Sequence, residues 1–220
     1  MKLKLVLFDL DGTLLDTAPD FIVCVNQLRQ RHGHEPMSAS TIRAEVSNGA
    51  RALTKLALGL PDDSEHLEPA RQELLALYAD CLGSQTIPFP GIPESLDWIR
   101  DHDLGWGIVT NKPSLYTLPL LARVKLPGQP AAVICPDHVT HTKPHPEPIL
   151  MACQQHGCLP GEAIYLGDHI RDIEAGKAAG AHTASCGWGY LHQDDDWKQW
   201  QADHHLQRPD QLPALLAHLY

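Results

Sequence analysis

The sequence predicts an α/β fold: a doubly wound parallel-sheet (Rossmann-like) core domain with a helical domain inserted after the first strand. From residue 105 onwards, short apolar runs alternate with helical patterns, which is typical of parallel strands joined by crossover helices. Residues 17–86 contain helical patterns only, and a Pro/Gly-rich segment at 87–93 then leads back to the alternating region. We therefore expect a core domain of residues 1–16 and 87–220 and an inserted helical domain of residues 17–86.

The first predicted strand, residues 4–8, is a short apolar run that ends at Asp9. In the helix that follows, Phe21, Cys24 and Leu28 recur at spacings of three and four, which is the period of one buried helix face. The helical patterns of this half cover residues 16–30, 40–46, 50–58 and 65–82.

The second half supplies the remaining strands and their crossover helices. Strands are predicted at residues 105–109, 131–135, 163–166 and 182–186. Helices are predicted at residues 95–100, 115–122, 146–156, 172–179 and 211–218. The segment DDDWKQW at 194–200 is also predicted to be a solvated helix with an apolar anchor.

Polar residues directly follow three of the predicted strands. Asp9 and Asp11 follow the first strand, Thr110 follows another, and Asp168 follows a third. Because ligands of open α/β sheets bind at the carboxyl ends of the strands, we expect these side chains at one edge. Several carboxylates placed together are costly unless a cation neutralises them, and oxygen ligands suit Mg²⁺.

Donors for an anion lie in the same predicted region. Lys143 precedes a helix, and Thr110 and Asn111 form a turn after a strand. Such groups can bind phosphoryl oxygens, and a neighbouring carboxylate can form an aspartyl-phosphate. The combination of metal, cation and carboxylates fits phosphoryl transfer.

Four motifs, in order, resemble those of the haloacid dehalogenase-like hydrolase superfamily: DLDGT at 9–13, TN at 110–111, KP at 143–144 and GDxxxD at 167–172. The segments FDLDGTLLDTAPD, VTNKP and GWGY are similar to its phosphoglycolate phosphatase branch. The segments DTAPDF, NGARAL, WGIVTNKP and ICPDHV are similar to the bacterial N-acetylmuramic acid 6-phosphate phosphatases. The resemblance covers essentially the whole chain.

The resemblance implies catalytic roles for two of the aspartates. Asp9 would be the nucleophile, and Asp11 would protonate the leaving alkoxide and then deprotonate the attacking water. Mg²⁺ would be held by Asp9, the backbone carbonyl of Asp11 and Asp168. Asp172 would contact the metal or support it from outside. Family dehalogenases lack an acid at the position of Asp11, so dehalogenation is disfavoured.

The resemblance also implies substrate contacts. Thr110, Asn111 and Lys143 would bind the transferring phosphoryl group. The cap, residues 17–86, would close over the substrate and exclude water. We hypothesise that Arg51, at the start of a cap helix, contacts a carboxylate or polar group of the leaving portion.

We therefore predict a Mg²⁺-dependent phosphatase that acts on a small phosphorylated metabolite, either N-acetylmuramate 6-phosphate or 2-phosphoglycolate. Two alternatives stay open. A phosphosugar mutase uses the same aspartyl-phosphate chemistry and returns the phosphoryl group to the sugar. A non-catalytic regulatory protein could keep the scaffold, although the intact set of motif residues argues against it.

Composition excludes several other classes of protein. With 17 Lys and Arg against 27 Asp and Glu, the formal net charge is −10, which disfavours nucleic acid and anionic membranes as partners. No apolar run approaches the roughly 18 residues of a transmembrane helix. The six cysteines form no C-x-x-C motif, and we expect a cytoplasmic protein with free thiols. Monomer and homodimer are both compatible with the sequence.

Two histidines depart from the patterns of the relatives. His145 stands where relatives often carry Asp, and we expect this change to matter little. His169 stands beside Asp168, where relatives often carry Ser, Thr or Asp; we expect it to face outwards, with an effect on metal affinity or pH dependence as the alternative. His138, His141 and His145 cluster in one segment that also contains two prolines. No single helix can present all three, so we do not expect a zinc site there.

Overall fold

The computed structural model describes residues 2–192 and 194–220, and its main sheet confirms the predicted fold class. Within these residues the strands are β1 (Leu5–Phe8), β2 (Leu15–Asp16), β3 (Ile87–Pro88), β4 (Gly105–Val109), β5 (Ala132–Ile134), β6 (Ala163–Gly167), β7 (His182–Cys186) and β8 (His204–Leu206). Six of them form a parallel sheet in the order β5-β4-β1-β6-β7-β8. The short strands β2 and β3 pair antiparallel beside it.

The centre of the sheet fixes where the polar residues lie. All four residues of β1 are buried, as expected for a strand that is covered on both faces. Phe8, the last residue of β1, pairs with Ile108 in β4 and with Leu166 in β6. The three central strands therefore end within two residues of one another, at the same edge of the sheet.

The helices agree with the patterns predicted from the sequence to within three residues at each end. They are α1 (Ala18–Arg31), α2 (Ala39–Glu45), α3 (Gly49–Leu58), α4 (Leu67–Cys81), α5 (Ile92–Asp101), α6 (Ser114–Arg123), α7 (Glu147–His156), α8 (Ile170–Ala179) and α9 (Leu212–Leu219). Among the described residues, no helix combines the length and the apolar character that crossing a membrane requires.

Helices α1 to α4 pack on one another between β2 and β3. Phe21 of α1 stacks on Tyr78 of α4, with ring centroids 4.1 Å apart. The carboxylate of Asp20, in the first turn of α1, is fully buried and accepts four hydrogen bonds from residues 83–86. Asp20 therefore links the segment that enters the helical block to the segment that leaves it.

Three short elements differ from the sequence predictions. The segment at 87–93, predicted as a linker, contains β3 and the start of α5, and β8 was not predicted. Neither strand contains an apolar run that the sequence could reveal, because β3 has only two residues and β8 contains two histidines. Each becomes a strand through its pairing with the neighbouring backbone. Residues 194–200, predicted as a helix, contain one 3₁₀ turn at Trp197–Gln199. The Trp197 ring packs so closely on Gly187 that a Cβ there would lie 2.4 Å from it.

Candidate active site

Five of the predicted site residues meet at the carboxyl edge of the sheet. Asp9, Thr110 and Asp168 follow β1, β4 and β6 directly, and all three are buried. Lys143 reaches the same place from the loop between β5 and α7, and Asp172 from the first turn of α8. Because the three strands end in register, Asp9, Thr110 and Asp168 lie together at this edge. The roles of all five residues stay predictions.

Lys143 is the centre of this cluster. Its Nζ atom donates to Asp9 Oδ1 at 2.7 Å, to Asp172 Oδ1 at 2.8 Å and to the Tyr165 hydroxyl at 2.7 Å. Burial by itself lowers the pKa of Lys143, but the carboxylates of Asp172 and Asp9 outweigh burial and raise its pKa above the usual value. The lysine therefore stays charged, and its three protons already have acceptors.

The carboxylates still outnumber the buried cation. Asp9, Asp168 and Asp172 each offer an oxygen within 4.8 Å of the others. Burial raises the pKa of Asp9 despite the opposing effect of Lys143, and burial with the nearby Asp9 raises the pKa of Asp168. Excess negative charge among hard oxygen donors fits a divalent cation such as Mg²⁺.

Both oxygens of Asp168 are held in place. They accept hydrogen bonds from Thr13 Oγ1 at 3.1 Å, Ser47 Oγ at 3.1 Å and the backbone N–H of Tyr190 at 2.8 Å. Gly12 packs against the same carboxylate at a φ of +86°, and a Cβ there would lie 2.2 Å from Asp168 Oδ2. The sequence DLDGT therefore requires glycine for both its backbone conformation and its close approach to Asp168.

Asp11 lies beside this cluster and has different partners. Its Oδ1 atom accepts from Lys112 Nζ at 2.9 Å and from Thr17 Oγ1 at 2.5 Å. The ammonium group of Lys112 also lies over the rings of Tyr78 and Phe21, 4.7 Å and 5.1 Å from their centroids. A side chain engaged in this way is compatible with the predicted metal contact through the backbone carbonyl of Asp11.

The side chains of Asn111 and Thr110 form hydrogen bonds with nearby backbone groups. The Asn111 amide donates to the carbonyl of Lys143 at 3.1 Å and accepts from its N–H at 3.2 Å. Thr110 Oγ1 accepts from the N–H of Lys112 at 3.1 Å. Both residues line the cavity described next, but the Asn111 amide positions the lysine loop with both of its polar atoms.

A cavity of about 360 Å³ lies above the carboxylates. Its floor is the sheet edge, and its wall comes from α3, α4 and the loop before α3. Three guanidinium side chains line it: Arg51, Arg71 and Arg171. Arg51 stands near the start of α3 as predicted, and its Nη2 atom donates to the backbone carbonyl of Asp62 at 2.8 Å. The prediction that Arg51 contacts a substrate remains a prediction.

Comparison with known proteins identifies the family. The haloacid dehalogenase-like hydrolase family model matches residues 6–186. The chain belongs to this family. It is 45% identical to an N-acetylmuramic acid 6-phosphate phosphatase of Pseudomonas aeruginosa, covering 98% of this chain and 96% of that protein. It is 36% identical to a phosphoglycolate phosphatase of Xylella fastidiosa, covering 96% and 94%.

Solved structures confirm the fold. The chain superposes with a TM-score of 0.85 on a predicted phosphoglycolate phosphatase from Haemophilus somnus 129pt, covering 98% of both chains at 23% identity. The predicted family and the predicted enzyme class, a phosphoric monoester hydrolase, are confirmed by the two full-length relatives and the family match.

The sequence had led us to expect that His169 faces outwards, but its side chain does not face fully outwards in the structure. It is half-buried at the start of α8, and its Nδ1 atom accepts from the N–H of Arg171 at 3.2 Å. Burial, followed by the positive charge of Arg171, lowers the pKa of His169 to about 4. Its imidazole is therefore neutral at neutral pH and caps the helix of this hydrolase.

The structure adds several residues that sequence reasoning missed. Tyr165 bonds Lys143 from inside β6, Lys112 bonds Asp11, and Ser47 bonds Asp168 from the loop before α3. Each left a weak signal in the sequence. Tyr165 is a hydroxyl within an apolar strand, Lys112 follows the TN motif directly, and Ser47 precedes an Asn-Gly pair.

Proposed function

We propose that this hydrolase is a Mg²⁺-dependent phosphatase that acts on a small phosphorylated metabolite through an aspartyl-phosphate at Asp9. One observation carries the proposal. Asp9 lies at the floor of the cavity, held by the ammonium group of Lys143 and adjacent to the carboxylate of Asp168. A positioned carboxylate is what nucleophilic attack on a phosphate ester needs, and the neighbouring carboxylates would hold the Mg²⁺ that offsets the negative charge of the ester.

The oxygen donors present fit Mg²⁺. Asp9, Asp168 and the backbone carbonyl of Asp11 would hold the ion. Asp172 would support the site from outside, because its Oδ1 atom accepts from Lys143 and its Oδ2 atom accepts from the N–H of His169. When bound, Mg²⁺ neutralises the carboxylates and the phosphoryl oxygens.

In the first step, a carboxylate oxygen of Asp9 forms a bond to phosphorus while the bond from phosphorus to the leaving oxygen breaks. Lys143 holds Oδ1 of Asp9, which leaves Oδ2 for the attack. Asp11 gives its proton to the leaving alkoxide. In the second step, Asp11 takes a proton from water, the water oxygen bonds to phosphorus, and the bond from phosphorus to Asp9 breaks.

The helical block is proposed as the mobile cap, with residues 17–86 as the cap domain and the rest of the chain as the core. Ser47, in the loop before α3, donates to Asp168, and Arg171 of α8 donates to the carbonyl of Ser47. These contacts join the helical block to the sheet edge over the cavity. Opening would break them and admit substrate, and closing would exclude water.

We favour N-acetylmuramate 6-phosphate over 2-phosphoglycolate as the substrate. Both carry a carboxylate besides the phosphate, which suits a cavity lined by Arg51, Arg71 and Arg171. The volume of about 360 Å³ lies within the usual range for small-molecule sites, and 2-phosphoglycolate has fewer than half as many heavy atoms as the sugar phosphate. The higher identity to the Pseudomonas aeruginosa enzyme supports the same choice.

The test is phosphate release, with Mg²⁺ or with EDTA, from N-acetylmuramate 6-phosphate, 2-phosphoglycolate, hexose phosphates and p-nitrophenyl phosphate. We expect Mg²⁺-dependent release and the highest kcat/KM with N-acetylmuramate 6-phosphate. A preference for 2-phosphoglycolate would overturn the substrate proposal but not the reaction. NMR detection of an isomeric phosphosugar in place of free phosphate would identify a mutase, and no turnover of any compound would favour a regulatory protein.

A further inference from the structure

A second group of metal-ligating side chains lies on the outer surface, away from the buried carboxylates. His141 and His145 flank Lys143 in the loop that leads into α7, and Glu147 is the first residue of α7. One ring nitrogen from each histidine and one carboxylate oxygen of Glu147 lie within 4.8 Å of one another. The two histidines are exposed and Glu147 is partly exposed, so solvent and ions reach this group.

The distances between these ligand atoms are close to those between the ligands of a tetrahedral zinc site. Zinc bonds to imidazole nitrogen and carboxylate oxygen are about 2.0–2.2 Å long, so neighbouring ligand atoms lie about 3.3 Å apart. Glu147 Oε2 is 3.1 Å from His141 Nδ1 and 3.9 Å from His145 Nδ1. The two rings lie side by side, with centroids 4.5 Å apart. The Nδ1 atom of His145 also accepts from the N–H of Glu147 at 3.2 Å, so the His145 ring must turn, or use Nε2, to bind an ion.

The carboxylate of this group is fixed in advance. Glu147 Oε1 accepts from the N–H of Thr140 at 2.8 Å, and Oε2 accepts from the N–H of His141 at 2.9 Å. The N–H of Thr140, followed by smaller contributions that include His141, lowers the pKa of Glu147, so the group is anionic at neutral pH. Because the loop is already folded around the carboxylate, binding an ion orders little that is mobile.

We propose that His141, His145 and Glu147 form a site for a divalent transition metal of the Zn²⁺ class. Imidazole ligands favour Zn²⁺, Cu²⁺ and Ni²⁺ over Mg²⁺, whereas the buried carboxylates favour Mg²⁺. Water completes the coordination at the exposed side. The two prolines of this segment, which excluded a shared helix, instead turn the loop so that the two imidazoles meet at Glu147.

The proposed site lies on the same loop as Lys143. Lys143 lies between the two histidines in sequence, and its side chain points into the buried cluster. An ion bound outside would fix the same loop from the opposite side. Bound Zn²⁺ should therefore slow hydrogen exchange of the amides in residues 140–147.

The test is calorimetric titration of Zn²⁺ into the full-length protein in a large excess of Mg²⁺, which occupies the carboxylate site. We expect one Zn²⁺ to bind the wild type, and His141→Ala or His145→Ala to weaken binding at least about tenfold. His138→Ala is the matched control, because this histidine belongs to the same segment but not to the ligand group; it should bind Zn²⁺ as the wild type does. Circular dichroism checks that each variant is folded.

A spectroscopic readout identifies the ligands directly. Cu²⁺ bound to the wild type should show nitrogen hyperfine splitting in its electron paramagnetic resonance spectrum, and His141→Ala/His145→Ala should lose it. Zn²⁺ binding of equal strength in the wild type and this double variant would place the ion elsewhere and overturn the site. Absence of Zn²⁺ binding in excess Mg²⁺ would do the same. Neither result depends on phosphatase activity.

Discussion

The sheet edge and the helical wall of the cavity hold their charged groups in opposite ways. At the sheet edge, Lys143 and Asp172 are almost completely buried, and their polar atoms bond to other buried groups. On the wall, Arg51 is half exposed and contacts Asp62, which is itself 72% exposed. The sheet-edge groups are held in a fixed arrangement, whereas Arg51 on the wall can exchange its partner.

The free-energy cost of breaking a charged contact differs between the two regions. An exposed ion pair contributes about 0–1 kcal/mol, so Arg51 can leave Asp62 for a substrate at little cost. Removing one partner of a buried pair leaves an uncompensated charge, which costs about 3–5 kcal/mol. We therefore expect substitutions at the sheet edge to abolish the reaction or destabilise the fold, and substitutions on the wall to change substrate preference.

The largest effect is expected for Asp9→Asn. The amide cannot attack phosphorus, so kcat should fall at least about 10⁴-fold with every substrate. Steady-state phosphate release measures this, and circular dichroism checks the fold. Residual turnover near that of the wild type would exclude a covalent intermediate at Asp9.

Asp11→Asn should have the next largest effect on rate. It removes the proton donor for the leaving group, which typically contributes 10²–10⁴-fold. The loss in kcat should be smaller with p-nitrophenyl phosphate, whose leaving group needs little protonation. Equal losses with p-nitrophenyl phosphate and an alkyl phosphate would argue against Asp11 as the acid.

A matched pair of lysine variants tests the difference in stability. Lys143→Ala should lower the free energy of unfolding by about 3 kcal/mol, because Asp172 and Asp9 lose their buried cation. Lys55→Ala removes the exposed partner of Asp62 and should change the free energy of unfolding far less than Lys143→Ala does. Urea unfolding in EDTA measures both, and similar values would contradict the contrast between the two regions.

The pKa shifts of Asp9 and Asp168 predict a pH dependence in the absence of metal. Both pKa values are raised on folding, so the folded protein binds these protons more tightly than the unfolded chain. In EDTA, the free energy of unfolding should therefore fall as pH rises from about 4 towards neutrality. Differential scanning calorimetry should show Mg²⁺ raising Tm by roughly 5 °C more at about pH 8 than at about pH 5. An equal increase at both pH values would contradict a carboxylate metal site.

The smallest effect is expected for Arg51→Ala. It should lower kcat/KM for the preferred carboxylate-bearing substrate about tenfold, as expected for loss of one charged contact. The kcat with p-nitrophenyl phosphate, which lacks the carboxylate, should stay unchanged. If kcat/KM for the preferred substrate is also unchanged, Arg51 does not contact it.

The sequence by itself determined five of the six strands of the parallel sheet, its helices and the place where the motif residues meet. Asp9, Thr110 and Asp168 could be placed because each follows an apolar run, and parallel strands bring their carboxyl ends to one edge. The four motifs also determined the family. Each of these signals is local, contained within about ten residues.

Only the tertiary structure decided which side chains bond across that edge. Asp11 and Lys112 are hydrogen-bonded although they lie 101 positions apart in the sequence, and Ser47 and Asp168 are hydrogen-bonded although they lie 121 positions apart. Strand β8 depends on the backbone of β7. These contacts depend on how distant segments pack, and no local period or propensity records that packing.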